Sequence, residues 1–192
     1  MPKTLPSLLE DINRCQICAE HLPLAPRPVV QAASSAQILI IGQAPGTRVH
    51  ETGIPWNDPS GDRLREWLQI DKTRFYDPNI IAIMPMGFCY PGKGNSGDLP
   101  PRPECAPKWH ASVKQHLPNI ELTLLIGDYA QRYYLKDKPR TLTETVKANA
   151  QWSPDFIALP HPSPRNNIWL RKNPWFEEDV LPYLRNRVGQ LL

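Results

Sequence analysis

The sequence predicts an α/β fold, a three-layer α/β/α sandwich around a central four-stranded parallel sheet. Three observations predict it. Four short apolar runs recur along the chain, within residues 38–41, 79–86, 122–126 and 156–159. They are apolar without alternation, as in strands covered on both faces. Segments with helical periodicity separate them, and strands alternating with helices imply parallel pairing through crossovers.

The chain has 192 residues, 41% of them hydrophobic, which suits one domain over residues 1–192 with a real core. Its 23 prolines are scattered, so the chain reads as loop-rich and globular, not as low-complexity sequence. No internal repeat is visible. A net charge of +3 permits a nucleic-acid partner without arguing strongly for one. No apolar run approaches the ~18 residues of a membrane span. The opening Met1-Pro2-Lys3-Thr4 lacks the apolar segment of a signal peptide. A cytoplasmic monomer free of the membrane is the expectation.

Taken in order, residues 5–15 read as a helix with Leu8, Leu9, Ile12 and Cys15 on one face. A proline-rich stretch, 22–28, should wrap the surface. The first strand, 38–41, runs into Gly42-Gln43-Ala44-Pro45-Gly46, a tight loop that lets a ligand approach the backbone. Ligands of open α/β sheets bind beyond the carboxyl ends of the strands, so this loop is expected to floor an active site. Residues 47–59 read as a long connection, and Ser60 as the N-cap of a helix burying Leu64, Trp67 and Leu68.

The second strand, 79–86, leads into a Gly- and Pro-rich loop over 87–103, followed by a helix over 104–117. The third strand ends at Gly127 and precedes a short helix over 128–135. Another helix is expected over 142–150. The fourth strand, 156–159, runs into Pro160-His161-Pro162-Ser163-Pro164-Arg165. The last helix is expected to open at Asn173-Pro174, with Glu177 and Glu178 in its first turn. Pro182 should kink it. Three unusual loops therefore end three strands.

The four cysteines are Cys15, Cys18, Cys89 and Cys105. A structural disulfide is not expected in a reducing compartment. A C-x-x-C pair with two distant cysteines counts to the four thiolates that close a zinc or iron–sulfur site. Buried free thiols and a redox pair are the alternatives.

These residues resemble the uracil-DNA glycosylase superfamily, most closely its branch with a 4Fe-4S cluster (family 4). Gly42-Gln43-Ala44-Pro45-Gly46 is similar to that branch's first motif, usually Gly-Glu-Ala-Pro-Gly, and His161-Pro162-Ser163 to its second. Gly53-Ile54-Pro55-Trp56 resembles a Gly-x-Pro-Phe segment whose ring stacks on the extruded base. Cys15, Cys18, Cys89 and Cys105 match the cluster ligands in order and approximate spacing. The match covers most of the chain.

The resemblance implies base flipping and hydrolysis of the N-glycosidic bond of a deaminated base in DNA. His161 would donate to the base, helped by backbone N–H groups of Gln43 and Ala44, against the floor that begins at Gly42. Trp56 would stack on the base. Ser163 and Arg165 would meet DNA, with Arg171 and Lys172 adding attraction. The 4Fe-4S cluster would be structural, with zinc the alternative.

Two departures stand out. Gln43 replaces the glutamate of the first motif, and an amide orients water but takes no proton from it. Ala44 stands where another branch, with Gly-Gln-Asp-Pro-Tyr, has its water-activating aspartate. Asp58 is the first substitute, then Glu51 or His50. Pro85 occupies the position of an asparagine that reads the uracil edge. Asn57 is the replacement in view, or the base differs, for instance hypoxanthine. A glycosylase-fold protein that binds DNA without cutting it is the alternative function.

Overall fold

Every residue of Ile38–Ile41 is buried, and the strand they form has a partner on each side. Ile38 stands opposite Ile81 on one neighbour and Leu122 on the other. The computed structural model describes residues 3–152 and 154–192, so Met1-Pro2 lies outside the described residues.

In chain order the elements are α1 (Leu5–Asn13), β1 (Ile38–Ile41), α2 (Thr47–Thr52), α3 (Pro59–Leu68), α4 (Lys72–Phe75) and β2 (Ile81–Ile83). A two-stranded antiparallel ribbon follows, β3 (Lys93–Gly94) with β4 (Gly97–Asp98). Then come α5 (Cys105–Gln115), β5 (Leu122–Ile126), α6 (Asp128–Tyr134), α7 (Leu142–Lys147), α8 (Asn149–Trp152), β6 (Phe156–Leu159), α9 (Asn167–Lys172) and α10 (Leu181–Gly189).

The main sheet has the order β2-β1-β5-β6, parallel throughout. The four apolar runs are its strands, and helices flank it as expected of the three-layer α/β fold. Helix α1 packs on α5, and α3 on α10. Leu8, Ile12, Leu64, Val113 and Leu184 carry those helices into the common core. Strands are added to one side of β1 and then to the other, which makes β1 the switch point beyond whose carboxyl end a ligand crevice belongs.

Several element boundaries differ from expectation. Asp58, not Ser60, caps α3: its carboxylate accepts the Gly61 N–H at 2.8 Å, and Pro59 takes the first helical position, where a missing N–H costs nothing. Ser60 is buried inside the helix. The connection over 47–59 contains α2, ended by Gly53 at φ 71°. Helix α1 stops at Asn13, so Cys15 lies beyond it. The expected helix over 142–150 is two short ones.

The C-terminal helical run opens as expected at Asn173-Pro174, with the Glu178 N–H donated at 3.1 Å to the carbonyl of Pro174 and the Phe176 N–H at 3.0 Å to that of Asn173. Asn173 also closes α9, its side chain donating to the Trp169 carbonyl at 2.8 Å. Pro182 offers no N–H to the carbonyl four residues back. The preceding Phe176–Val180 winds as a π-helix, and α10 begins with Pro182 in its first turn.

Candidate active site and thiol pocket

Beyond β1 the Gly42–Gly46 loop is pinned to the continuation of β2. Met86 donates its N–H to the Gly42 carbonyl at 2.9 Å, and Gly87 to that of Gln43 at 3.0 Å. A cavity of about 250 Å³ opens over this loop. Gly42, Gln43, Ala44, Trp56, Asp58, His161, Ser163 and Arg165 all line it. The loops after β1, β2 and β6 therefore converge on one space. Pro85 lines it too and contributes no side-chain amide.

His161 is half-buried in this pocket. Burial pushes its pKa below the ordinary imidazole value, while the negative charge of Asp58 draws it partly back. The Ser163 N–H donates to His161 Nδ1 at 3.2 Å. A nitrogen that accepts carries no proton, so the neutral ring holds its proton on Nε2. The loop is braced further by Asn166, whose amide donates to the His161 carbonyl at 2.7 Å.

Trp56 packs against His161, with ring centroids 5.6 Å apart and planes inclined by 33°. Its backbone is left-handed, at φ 55°, a strained conformation for a bulky residue. What holds it is visible. Its carbonyl accepts from Arg65 at 3.3 Å and from the Tyr76 hydroxyl at 3.4 Å. Arg65 is itself buried and paired with Asp62 at 2.6 Å. The absence of side chains at two glycines completes the seat. A Cβ on Gly61 would lie 1.7 Å from the Trp56 carbonyl oxygen, and one on Gly42 2.8 Å from the indole.

The remaining predicted residues have mixed positions. Asn57 does not line the cavity; its amide points to the Thr52 hydroxyl at 3.4 Å. Neither Glu51 nor His50 lines it, and the backbone carbonyls of both accept from Arg27 at 2.7 Å. Arg165 is exposed but reaches across to the ribbon, donating to the Ser96 carbonyl at 2.9 Å. Arg171 and Lys172 end α9, exposed. Asp98, on the pocket wall, was missed by sequence reasoning. Nothing local marks a lone aspartate in a Gly-rich loop, although Gly94-Asn95-Ser96-Gly97 is a legible hairpin turn.

A second pocket gathers all four cysteines, with Leu22, Pro28, Phe88 and Trp109 among its walls. Cys15 and Cys18 follow α1, Cys89 lies in the loop after β2, and Cys105 opens α5. All are free thiols. Burial pushes Cys105 up to about 12 and Cys89 to about 11, and the neighbouring cysteines push both further in the same direction. Burial also raises Cys18, with Glu104 beside it. Phe88 donates its N–H to Cys105 Sγ at 3.3 Å. Buried thiols such as Cys89 and Cys105 become thiolates readily only beside a compensating positive charge. Among the described residues no group of three or more His, Cys, Asp or Glu side chains is disposed to hold a metal ion. Four cysteines in one pocket are the donor number of either a zinc or an iron–sulfur site.

A glycine loop, a seated aromatic ring and an oriented histidine share one cavity at the carboxyl end of the parallel sheet. The model of the uracil DNA glycosylase superfamily matches residues 29–185, and the chain belongs to that superfamily. A DNA glycosylase-type function and DNA as the partner follow in general terms. The matched region contains both motif loops, Trp56 and Asp98, and begins after Cys15 and Cys18. Among the described residues no helix is long and apolar enough to cross a membrane.

Proposed function

We propose that the protein hydrolyses the bond between deoxyribose and a deaminated base in DNA, uracil or a relative such as hypoxanthine, after the nucleotide is flipped out. The observation carrying this reading is the neutral His161 with its proton on Nε2, in the same cavity as the Gly42–Gly46 loop. As the glycosidic bond breaks, its electron pair stays on the base and charge gathers on the base oxygen. The Nε2–H donates to that oxygen, and the Gln43 and Ala44 N–H groups assist. Trp56 supplies a stacking face. Ser163 and Arg165 face the flanking phosphates, and water attacks the sugar with no covalent intermediate.

The thiol pocket is read as the seat of a structural 4Fe-4S cluster, with zinc the alternative. Cys15, Cys18, Cys89 and Cys105 would hold it. Such a group would supply positive charge to four thiolates and would tie the segment after α1 to the loop after β2. That loop continues into the ribbon at the rim of the base pocket.

The test is a panel of single-stranded and duplex oligonucleotides carrying uracil, hypoxanthine or xanthine, incubated with protein and then treated with alkali. Strand scission that is lost in His161→Ala supports the reading. A second reading, a DNA binder that does not cut, is favoured by Gln43 and Pro85, which remove the motif carboxylate and the base-reading amide. Binding across the panel without scission selects it and removes the first.

A further inference from the structure

Hydrolysis needs a group that takes a proton from the attacking water, and the Gly42–Gly46 loop holds none. Two carboxylates line the pocket, those of Asp58 and Asp98. Asp58 spends one oxygen capping α3. Asp98 lies at the end of β4, and its Oδ2 is 3.4 Å from where a Cβ on Gly46 would stand. Its carboxylate therefore rests over the loop whose own second position is an amide.

The two residues around Asp98 are tied to the two motif loops. Gln43 donates its side-chain amide to the Leu99 carbonyl at 3.3 Å. Arg165 donates to the Ser96 carbonyl at 2.9 Å, passing so close to Gly97 that a Cβ there would be 2.5 Å from the guanidinium. Gly97 is at φ 150°. The Leu99 N–H closes the base of the ribbon on the Gly92 carbonyl at 2.8 Å. Gln43 and Arg165 thus grip the ribbon on either side of Asp98. We infer that Asp98 is the residue that activates the hydrolytic water, an assignment that rests on the glycosylase reading above.

The chemistry balances. The water oxygen forms a bond to C1′ while the C1′–N bond breaks and its electron pair leaves with the base. The water proton goes to the Asp98 carboxylate and on to solvent, and the base anion, held by His161, gains a proton from solvent. Desolvation pushes the Asp98 carboxyl above its usual value, and the opposing charges of Arg165 and Lys93 limit the rise. Asp98 is exposed at the pocket rim, in contact with the water it would use.

The experiment compares single-turnover scission of uracil- and hypoxanthine-containing oligonucleotides by wild type, Asp98→Asn and Asp98→Glu, with oligonucleotide affinity measured alongside. Asp98→Asn is expected to lose about 100-fold in rate or more at unchanged affinity, and Asp98→Glu to recover part of it. Wild-type rates in Asp98→Asn overturn the assignment while leaving the glycosylase reading intact. Equal losses in both variants mark a structural role for the ribbon and also overturn it. No scission by wild type removes both readings.

Discussion

Ser163 donates its backbone N–H to Nδ1 of His161 at 3.2 Å, and that bond determines which ring nitrogen carries the proton. A protonated Nδ1 would face another donor. Burial acts in the same direction, lowering the imidazole pKa. Both effects keep His161 neutral with Nε2–H available to a ligand. In 15N-resolved NMR, His161 should display the Nε2–H tautomer and be more neutral at pH 6.5 than an ordinary imidazole, which is half protonated there. In the oligonucleotide assay, His161→Ala should lower the scission rate by about 100-fold or more.

His110 makes a different prediction, about stability. It is buried, with Nε2 3.0 Å from the Pro85 carbonyl and Nδ1 2.6 Å from the Tyr134 hydroxyl. A carbonyl only accepts, so Nε2 carries the proton and Nδ1 accepts from Tyr134. Burial lowers its pKa from 6.5 to about 4. Between those values the unfolded chain binds the proton and the folded one does not. Its contribution is complete above pH 6.5 and disappears as pH falls toward 4, by on the order of 3 kcal/mol. Melting temperatures across this window should fall in wild type and fall less steeply in His110→Gln.

The seat of Trp56 predicts two separable glycine phenotypes. Gly61→Ala drives a methyl into the Trp56 carbonyl and should destabilise the protein by about 2–3 kcal/mol, measurable by denaturant unfolding. Gly42→Ala meets the edge of the indole at 2.8 Å, a side chain and not backbone, so the ring must shift. It should leave unfolding nearly unchanged while lowering scission, because the displaced ring is the one packed on His161.

Capping by Asp58 is measurable in the same way. Asp58→Ala removes the acceptor of the Gly61 N–H and should cost about 1 kcal/mol of stability. Asp58→Asn, which keeps a capping oxygen, should lose less.

For the thiol pocket, anaerobically purified protein should contain iron with matching acid-labile sulfide. Cys89→Ala and Cys105→Ala should each lose both and melt at lower temperature. One zinc per chain without sulfide selects the alternative occupant.

The sheet was legible because its strands are central and dry. Ile38–Ile41 and Leu122–Ile126 bury every residue, so the pattern needs no partner to be read. The Gly42–Gly46 loop and His161 were legible for a related reason, since each directly follows such a run. Caps were harder. Asp58 and Ser60 are both good capping residues, and Pro59 between them decides the matter through its fixed φ. Asn57 and Trp56 are adjacent in sequence, yet only Trp56 lines the cavity, because its left-handed backbone sends the chain's neighbouring side chains in different directions.

By itself, then, the sequence determined the strands, the loops that end them and the chemical types available at the site. Tertiary structure decided which of those groups meet. Asp98 reaches the pocket only because Gln43 and Arg165, 55 residues before it and 67 after, hold its ribbon from two sides. His161 owes its proton's position to a backbone group two residues away. Burial periodicity is a local signal written in neighbouring residues. Contacts between distant loops depend on how the sheet brings their ends together, and no short stretch of sequence carries that information.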